Sequence, residues 1–107
     1  MDFVVKASPI HGLGCFAARD FFSGECVTSS VMVFPKEDLE AIVTHTFPWE
    51  GRCTESIVLS ELSYCNASND PCLKILSIDK VRMTKTFVFI KDVREGDEIT
   101  LKYLVTD

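Results

Sequence analysis

Three stretches of this chain carry groups that could hold a ligand or steer a proton. Gly12-Leu13-Gly14 brackets one residue with two glycines, a pattern that lets the backbone approach a ligand closely or simply turn. The third glycine and following helix of a dinucleotide fingerprint are missing. Asn66-Ala67-Ser68-Asn69-Asp70-Pro71-Cys72 concentrates short polar side chains. Asn66 offers an amide that can donate and accept, yet Asn, Ser, Asp and Pro are also what a loop uses to satisfy its own backbone. Tyr103 ends the last apolar-periodic stretch. Its phenol is a hydrogen-bonding group, and a tyrosine so placed is often a packed aromatic with its hydroxyl in water. Phe47, Trp49, Tyr64, Phe87 and Phe89 are large aromatics, with Phe87 and Phe89 better suited to the core. His11 and His45 have no nucleophile arranged around them and read as structural or solvent-facing. Cys65 reads as a small buried apolar residue.

Short strands separated by turns must position these groups. Phe3 to Ala7 and Gly14 to Ala18 read as short strands around the turn Ser8-Pro9-Ile10-His11-Gly12. Phe22-Ser23-Gly24-Glu25 turns the chain into a β-rich strand from Cys26 to Phe34. Pro35 to Thr46 is the one predicted helix, with acidic residues early and Leu39, Ile42, Val43 and Thr46 at helical spacing. Ser56 to Leu59 reads as a strand, and Glu61 to Asn66 as a turn or short helical piece. Strands are predicted over Leu73 to Ile78 and Val81 to Val93. Arg94-Glu95-Gly96 then turns the chain into a last strand, Glu98 to Leu104. One helix among many short strands indicates a mostly β fold of small sheets.

At 107 residues the chain is read as one domain, residues 1–107, with a modest core. Apolar residues make up 47% and charged residues 25%, ordinary values for a globular domain. No apolar run reaches membrane-spanning length, and no secretory leader is visible, so an intracellular, non-membrane protein is expected. A net charge of −5 argues against nucleic-acid binding and suits a basic partner. Five cysteines without a C-x-x-C pair point to reduced thiols, with no disulfide framework and no metal site.

In this order the three stretches resemble the SET-domain family of protein-lysine methyltransferases. Lys6-Ala7-Ser8, the Gly12/Gly14 pair, Phe16-Ala17-Ala18 and Gly24-Glu25 are similar to that family's opening. Asn66, Ser68 and Pro71 match its Asn-His-Ser…Pro-Asn motif, with Ala67 and Cys72 standing where histidine and the second asparagine are usual. Gly96-Asp97-Glu98-Ile99 resembles its Gly-Glu-Glu-Ile/Leu, and Tyr103 falls at the position of its catalytic tyrosine.

The resemblance runs from about Val4 to Tyr103 and is nearest to short stand-alone members without flanking cysteine clusters. It implies small curved β-sheets around a C-terminal pseudoknot, with one short helix. It implies S-adenosylmethionine as cofactor, bound by Gly12, Leu13, Gly14, Asn66, Ala67 and Tyr103. Tyr103 would be catalytic, and Trp49 and Tyr64 would line the substrate channel. The implied reaction is methyl transfer to the side-chain amine of a lysine. The implied partner is a lysine-containing basic peptide or protein, such as a histone tail, with a homodimer as one way to complete the site. Ala67, Cys72 and the few residues after Tyr103 leave a non-catalytic SET-like interaction module as the alternative. Read without the resemblance, the motifs also fit a small β-barrel binding module.

Overall fold

The computed structural model describes residues 2–35, 47–48 and 54–102. Among the described residues nine strands carry the fold: β1 (Phe3–Ala7), β2 (Leu13–Ala17), β3 (Cys26–Pro35), β4 (Phe47–Pro48), β5 (Thr54–Val58), β6 (Asn66–Ala67), β7 (Leu73–Asp79), β8 (Thr84–Phe89) and β9 (Glu98–Leu101). A single-turn 3-10 helix, Glu61–Tyr64, precedes β6, and its N-cap Ser60 accepts a hydrogen bond from the Leu62 N–H through its side chain. The expected small sheets join through shared strands into one mixed sheet, in the order β1-β2-β9-β7-β8-β3-β5-β4, with β6 beside β9. The protein is mostly β, as its β-branched and aromatic runs predict. Among the described residues, no helix is long and apolar enough to cross a membrane.

Alternation decides which faces meet. In β8, Lys85, Phe87 and Phe89 point inward, while Thr84, Thr86 and Val88 are half-buried. Phe3, Phe21 and Phe89 stack in series, with ring centroids 5.4 Å and 4.4 Å apart. Leu62, Leu73, Val58, Phe87, Ile99 and Leu101 extend the same core. Phe87 and Phe89 are therefore core residues, not channel walls. An isolated bridge between Phe21 and Val93 fastens the loop before β3 to the segment before β9.

Several boundaries differ from those expected. The strand predicted over Val81 to Val93 is present only as Thr84–Phe89. The Asp79 carboxylate accepts the Val81 and Arg82 N–H groups, each at 3.0 Å, and so winds residues 80–83 into a turn. Those backbone donors, Arg82 foremost, hold the Asp79 pKa below its usual value. Met83 closes the turn at φ +54°, a left-handed conformation incompatible with a strand. Beyond Phe89 the chain bends at Ile90 and Lys91 before the Val93 bridge. β2 runs from Leu13 rather than from Gly14. β5 starts at Thr54, and β7 extends to Asp79. Pro35, predicted to open the helix, instead ends β3, and residues 36–46 lie outside the described residues. The last strand ends at Leu101, short of the expected Leu104.

Candidate functional site

The first wall of the site is the β1–β2 turn. Ser8 N–H donates to the Gly12 carbonyl at 2.8 Å, and the Ser8 hydroxyl accepts the Ile10 N–H at 3.0 Å. Gly12 sits at φ +45°, which a side chain would resist. Gly14 is required for a different reason. It is buried against the facing side chains, and a Cβ there would collide with Glu98 Oε2 and lie 3.0 Å from Ser8 Cβ. A terminal carboxylate could normally swing aside, but this one is pinned. Gly14→Ala is therefore expected to cost about 1–3 kcal/mol by overpacking and to disrupt the Ser8–Glu98 contact. Urea unfolding measures it, and a variant as stable as the wild type would show that Glu98 is free to move.

The second wall is the segment 66–72, which clings to β9. Asn66 and Ala67 pair in parallel with Thr100 and Leu101. Ser68 N–H donates to the Leu101 carbonyl at 3.0 Å, and Cys72 N–H to the Thr100 carbonyl at 3.2 Å. The Ser68 hydroxyl accepts the Asp70 N–H at 3.0 Å, a local turn of the kind serine favours. Cys72 uses its thiol structurally. The sulfur accepts the Thr100 N–H at 3.4 Å and faces the Thr100 carbonyl at 3.8 Å.

Asn66 joins the two walls. Only 6% exposed, it directs Nδ2 toward four acceptors. These are Glu98 Oε2 at 2.8 Å, Ser8 Oγ at 3.1 Å, the His11 carbonyl at 3.1 Å and the Leu13 carbonyl at 3.3 Å. Glu98 in turn accepts the Ser8 hydroxyl, with both carboxylate oxygens 2.8 Å from Ser8 Oγ. The rim around this buried polar centre is open. Gly12 and Ala67 are exposed, Ile10 is 52% exposed and Leu13 50% exposed.

Behind the walls lies a thiol layer. Cys15 and Cys65, the neighbours of Gly14 and Asn66 in sequence, are both fully buried thiols outside any disulfide. A side-chain hydrogen bond with Cys15, then burial, pushes the Cys65 thiol well above its usual pKa. Burial pushes Cys72 up as well. Both stay protonated at neutral pH, so the site holds no thiolate nucleophile from either.

Gly12, Leu13, Gly14 and Asn66, distant in sequence, thus meet in one place. Ala67 lies on the same rim, paired with Leu101. Tyr64 is on the 3-10 turn leading into Asn66 and is 41% exposed. Trp49 and Tyr103 lie outside the described residues. His11 is exposed, and its backbone carbonyl accepts from the Asn66 amide. Ser8 and Glu98 are site residues that sequence reasoning left without a role. The signal available for them was membership of two stretches already singled out, Lys6-Ala7-Ser8 and Gly96-Asp97-Glu98-Ile99, in which neither residue was given a part in the site.

No known protein-family profile matches the chain, and no curated protein is significantly similar in sequence. Among solved structures, a Plasmodium falciparum protein provisionally named a histone methyltransferase superposes with a TM-score of 0.78. The match covers 98% of this chain and 95% of that one, at 16% sequence identity. At that identity the two chains share a fold, and the likeness extends over nearly their full lengths.

Proposed function

We propose that this protein is a minimal SET-type methyltransferase, moving a methyl group from S-adenosylmethionine to the side-chain amine of a protein lysine. The observation that carries the reading is the Asn66 amide seated between the Gly12–Gly14 turn and β9. The three motifs of the resemblance predict that convergence, and neither composition nor periodicity does. The fold shared with a protein named as a methyltransferase supports it independently.

In this reading the open rim of Gly12, Leu13 and Ala67 receives the nucleoside, and Asn66 takes its amino-acid end. The cofactor supplies an electrophilic methyl on a sulfonium. The protein's task is positioning, since an in-line approach of amine to methyl accounts for most of the rate gain. Tyr103 follows β9 by two residues, and β9 carries Glu98 and flanks Asn66, which supports placing the phenol at the same centre. Its oxygen would orient the amine, whose proton leaves to water as the lysine enters a less polar channel. The net charge of −5 favours a lysine-rich basic peptide, such as a histone tail, as substrate. A second subunit would complete the channel wall, and the C-terminal segment would thread beneath the 66–72 loop as a pseudoknot.

Transfer of labelled methyl from S-adenosylmethionine to a lysine-rich peptide tests the proposal. Tyr103→Phe is expected to lower that transfer at least tenfold while leaving cofactor affinity within about twofold, because the hydroxyl acts mainly in the transition state. Equal transfer by variant and wild type would remove Tyr103 from the mechanism. Ala67 and Cys72 favour a second reading, a non-catalytic module of the same fold. Ala67 has no imidazole to brace the loop, and the Cys72 thiol is committed to the β9 backbone. Nucleoside binding without transfer to any basic peptide would select that reading.

A further inference from the structure

We propose that the β1 edge of the sheet is a self-association surface, on which a second copy of this chain adds its own β1 antiparallel across a two-fold axis at Val4. The inference stands on the edge itself and does not depend on the methyl-transfer reading.

β1 closes one end of the strand order, and among the described residues β2 is its one strand partner. The ladder identifies which backbone groups remain open. Ala18 N–H donates to the Asp2 carbonyl at 2.9 Å, and Ser8 N–H donates to the Gly12 carbonyl at 2.8 Å. In the register between these bonds, Val4 faces Phe16 and Lys6 faces Gly14. Asp2, Val4, Lys6 and Ser8 therefore turn their backbone groups to β2, and Phe3, Val5 and Ala7 turn theirs to the outer edge. That edge has no register shift and no proline. Such devices commonly blunt an edge strand, and one left regular is a template for another strand.

The side chains select the occupant and the register. Two copies of the edge can exchange backbone hydrogen bonds about an axis at Phe3, Val4, Val5 or Lys6. The axis at Val4 alone unites opposite charges. Asp2 of each copy then lies opposite Lys6 of the partner subunit, with Val4 against Val4, all on one face. An axis at Lys6 would set two ammonium groups against each other. Axes at Phe3 and Val5 leave both charges without a counterpart. Asp2, Val4 and Lys6 are all exposed. Arg19 Nε holds Oδ1 of Asp2 at 3.1 Å and so steadies the carboxylate at the start of the strand. Lys6 Nζ lies 4.5 Å from the Phe16 ring centroid, a surface contact its flexible stem can exchange for a carboxylate. Pairing consumes both edges, so the assembly closes as a dimer.

About four backbone hydrogen bonds, the symmetric ion pairs and the Val4 contact make a small interface, so a Kd of about 10–100 µM is expected. Sedimentation equilibrium of the full chain from about 1 µM to about 500 µM reads it. Lys6→Glu and Asp2→Lys, each alone, are expected to raise Kd about tenfold or more, because each sets like charges opposite one another. Mixed in equal amounts, the two variants are expected to pair with each other at close to the wild-type affinity, since every opposed pair again carries opposite charges. A structural effect within one subunit would not be rescued this way. Val5→Pro removes an outward N–H and is expected to be monomeric over the same range, with a fold that the edge position tolerates. The charge variants keep the test decisive should Val5→Pro fail to fold. A wild type that stays monomeric to about 500 µM would overturn the proposal. So would a dimer that the charge reversals leave intact, or reversed variants that fail to pair when mixed.

Discussion

Asn66→Asp is expected to destabilise the domain by about 3–5 kcal/mol at neutral pH, the range for leaving a buried charge uncompensated. The substitution changes one atom, Nδ2 to oxygen. That atom faces the Glu98 carboxylate, two backbone carbonyls and a hydroxyl already committed to Glu98. Donor–acceptor pairs become lone-pair contacts, and a second negative charge arrives beside the first. The pH dependence has a definite sign. Two facing carboxylates raise the folded-state pKa of the pair, so the folded protein binds more protons than the unfolded chain. The variant's stability therefore falls as pH rises from the unfolded carboxyl pKa through the raised folded value. Below the unfolded pKa both states are protonated and the charge penalty vanishes. Urea unfolding of wild type and variant at about pH 5 and about pH 8 measures this, with the larger deficit expected at the higher pH. A variant matching the wild type at both values would mean that Asn66 is not enclosed as described.

Phe21→Ala is the second large effect, expected to cost about 3–5 kcal/mol, the usual range for truncating a buried aromatic. Phe21 is 1% exposed and is the middle ring of the Phe3–Phe21–Phe89 stack. Its removal therefore breaks two aromatic contacts and opens a cavity between β1 and β8. Its backbone also makes both hydrogen bonds of the bridge to Val93, each at 2.8 Å. The Arg19 guanidinium lies 3.9 Å from the ring centroid and loses its platform as well. A domain of this size holds about 5–15 kcal/mol in total, so the variant is expected to be partly unfolded at physiological temperature. Phe21→Leu should recover much of the loss, since volume matters more here than aromaticity. Thermal unfolding of the three proteins tests the ranking. A Phe21→Ala protein melting within a few degrees of the wild type would show that the stack is not central to stability.

The strands were legible where apolar runs and turn chemistry agree. The block Thr86-Phe87-Val88-Phe89 lies in β8, and Phe22-Ser23-Gly24-Glu25 and Arg94-Glu95-Gly96 turn as their residues suggest, with Gly24 at φ +98° and Gly96 at φ +93°. The error at Val81 to Met83 has a local cause. β-branched and apolar residues there favour a strand, but one carboxylate two residues back captures the backbone first. Of the site, Gly12, Gly14 and Asn66 were visible through motif order alone. Ser8 and Glu98 were not, because their meaning is a contact across 90 residues of chain. No spacing rule encodes such a pairing; it follows from β2 and β6 both lying against β9.

That arrangement has a consequence for how the protein is made. β9 is four residues long, yet it pairs with β2 from the chain's beginning and with β6 and β7 from its later half. None of these pairings is a hairpin between sequence neighbours, so each must close a long loop before it repays the entropy lost. During synthesis the earlier strands leave the ribosome with their common partner still to come, and their edges and apolar faces stay open until it does. Maturation should thus be slow for so small a domain and sensitive to crowding by other nascent chains, with chaperones shortening the exposed interval.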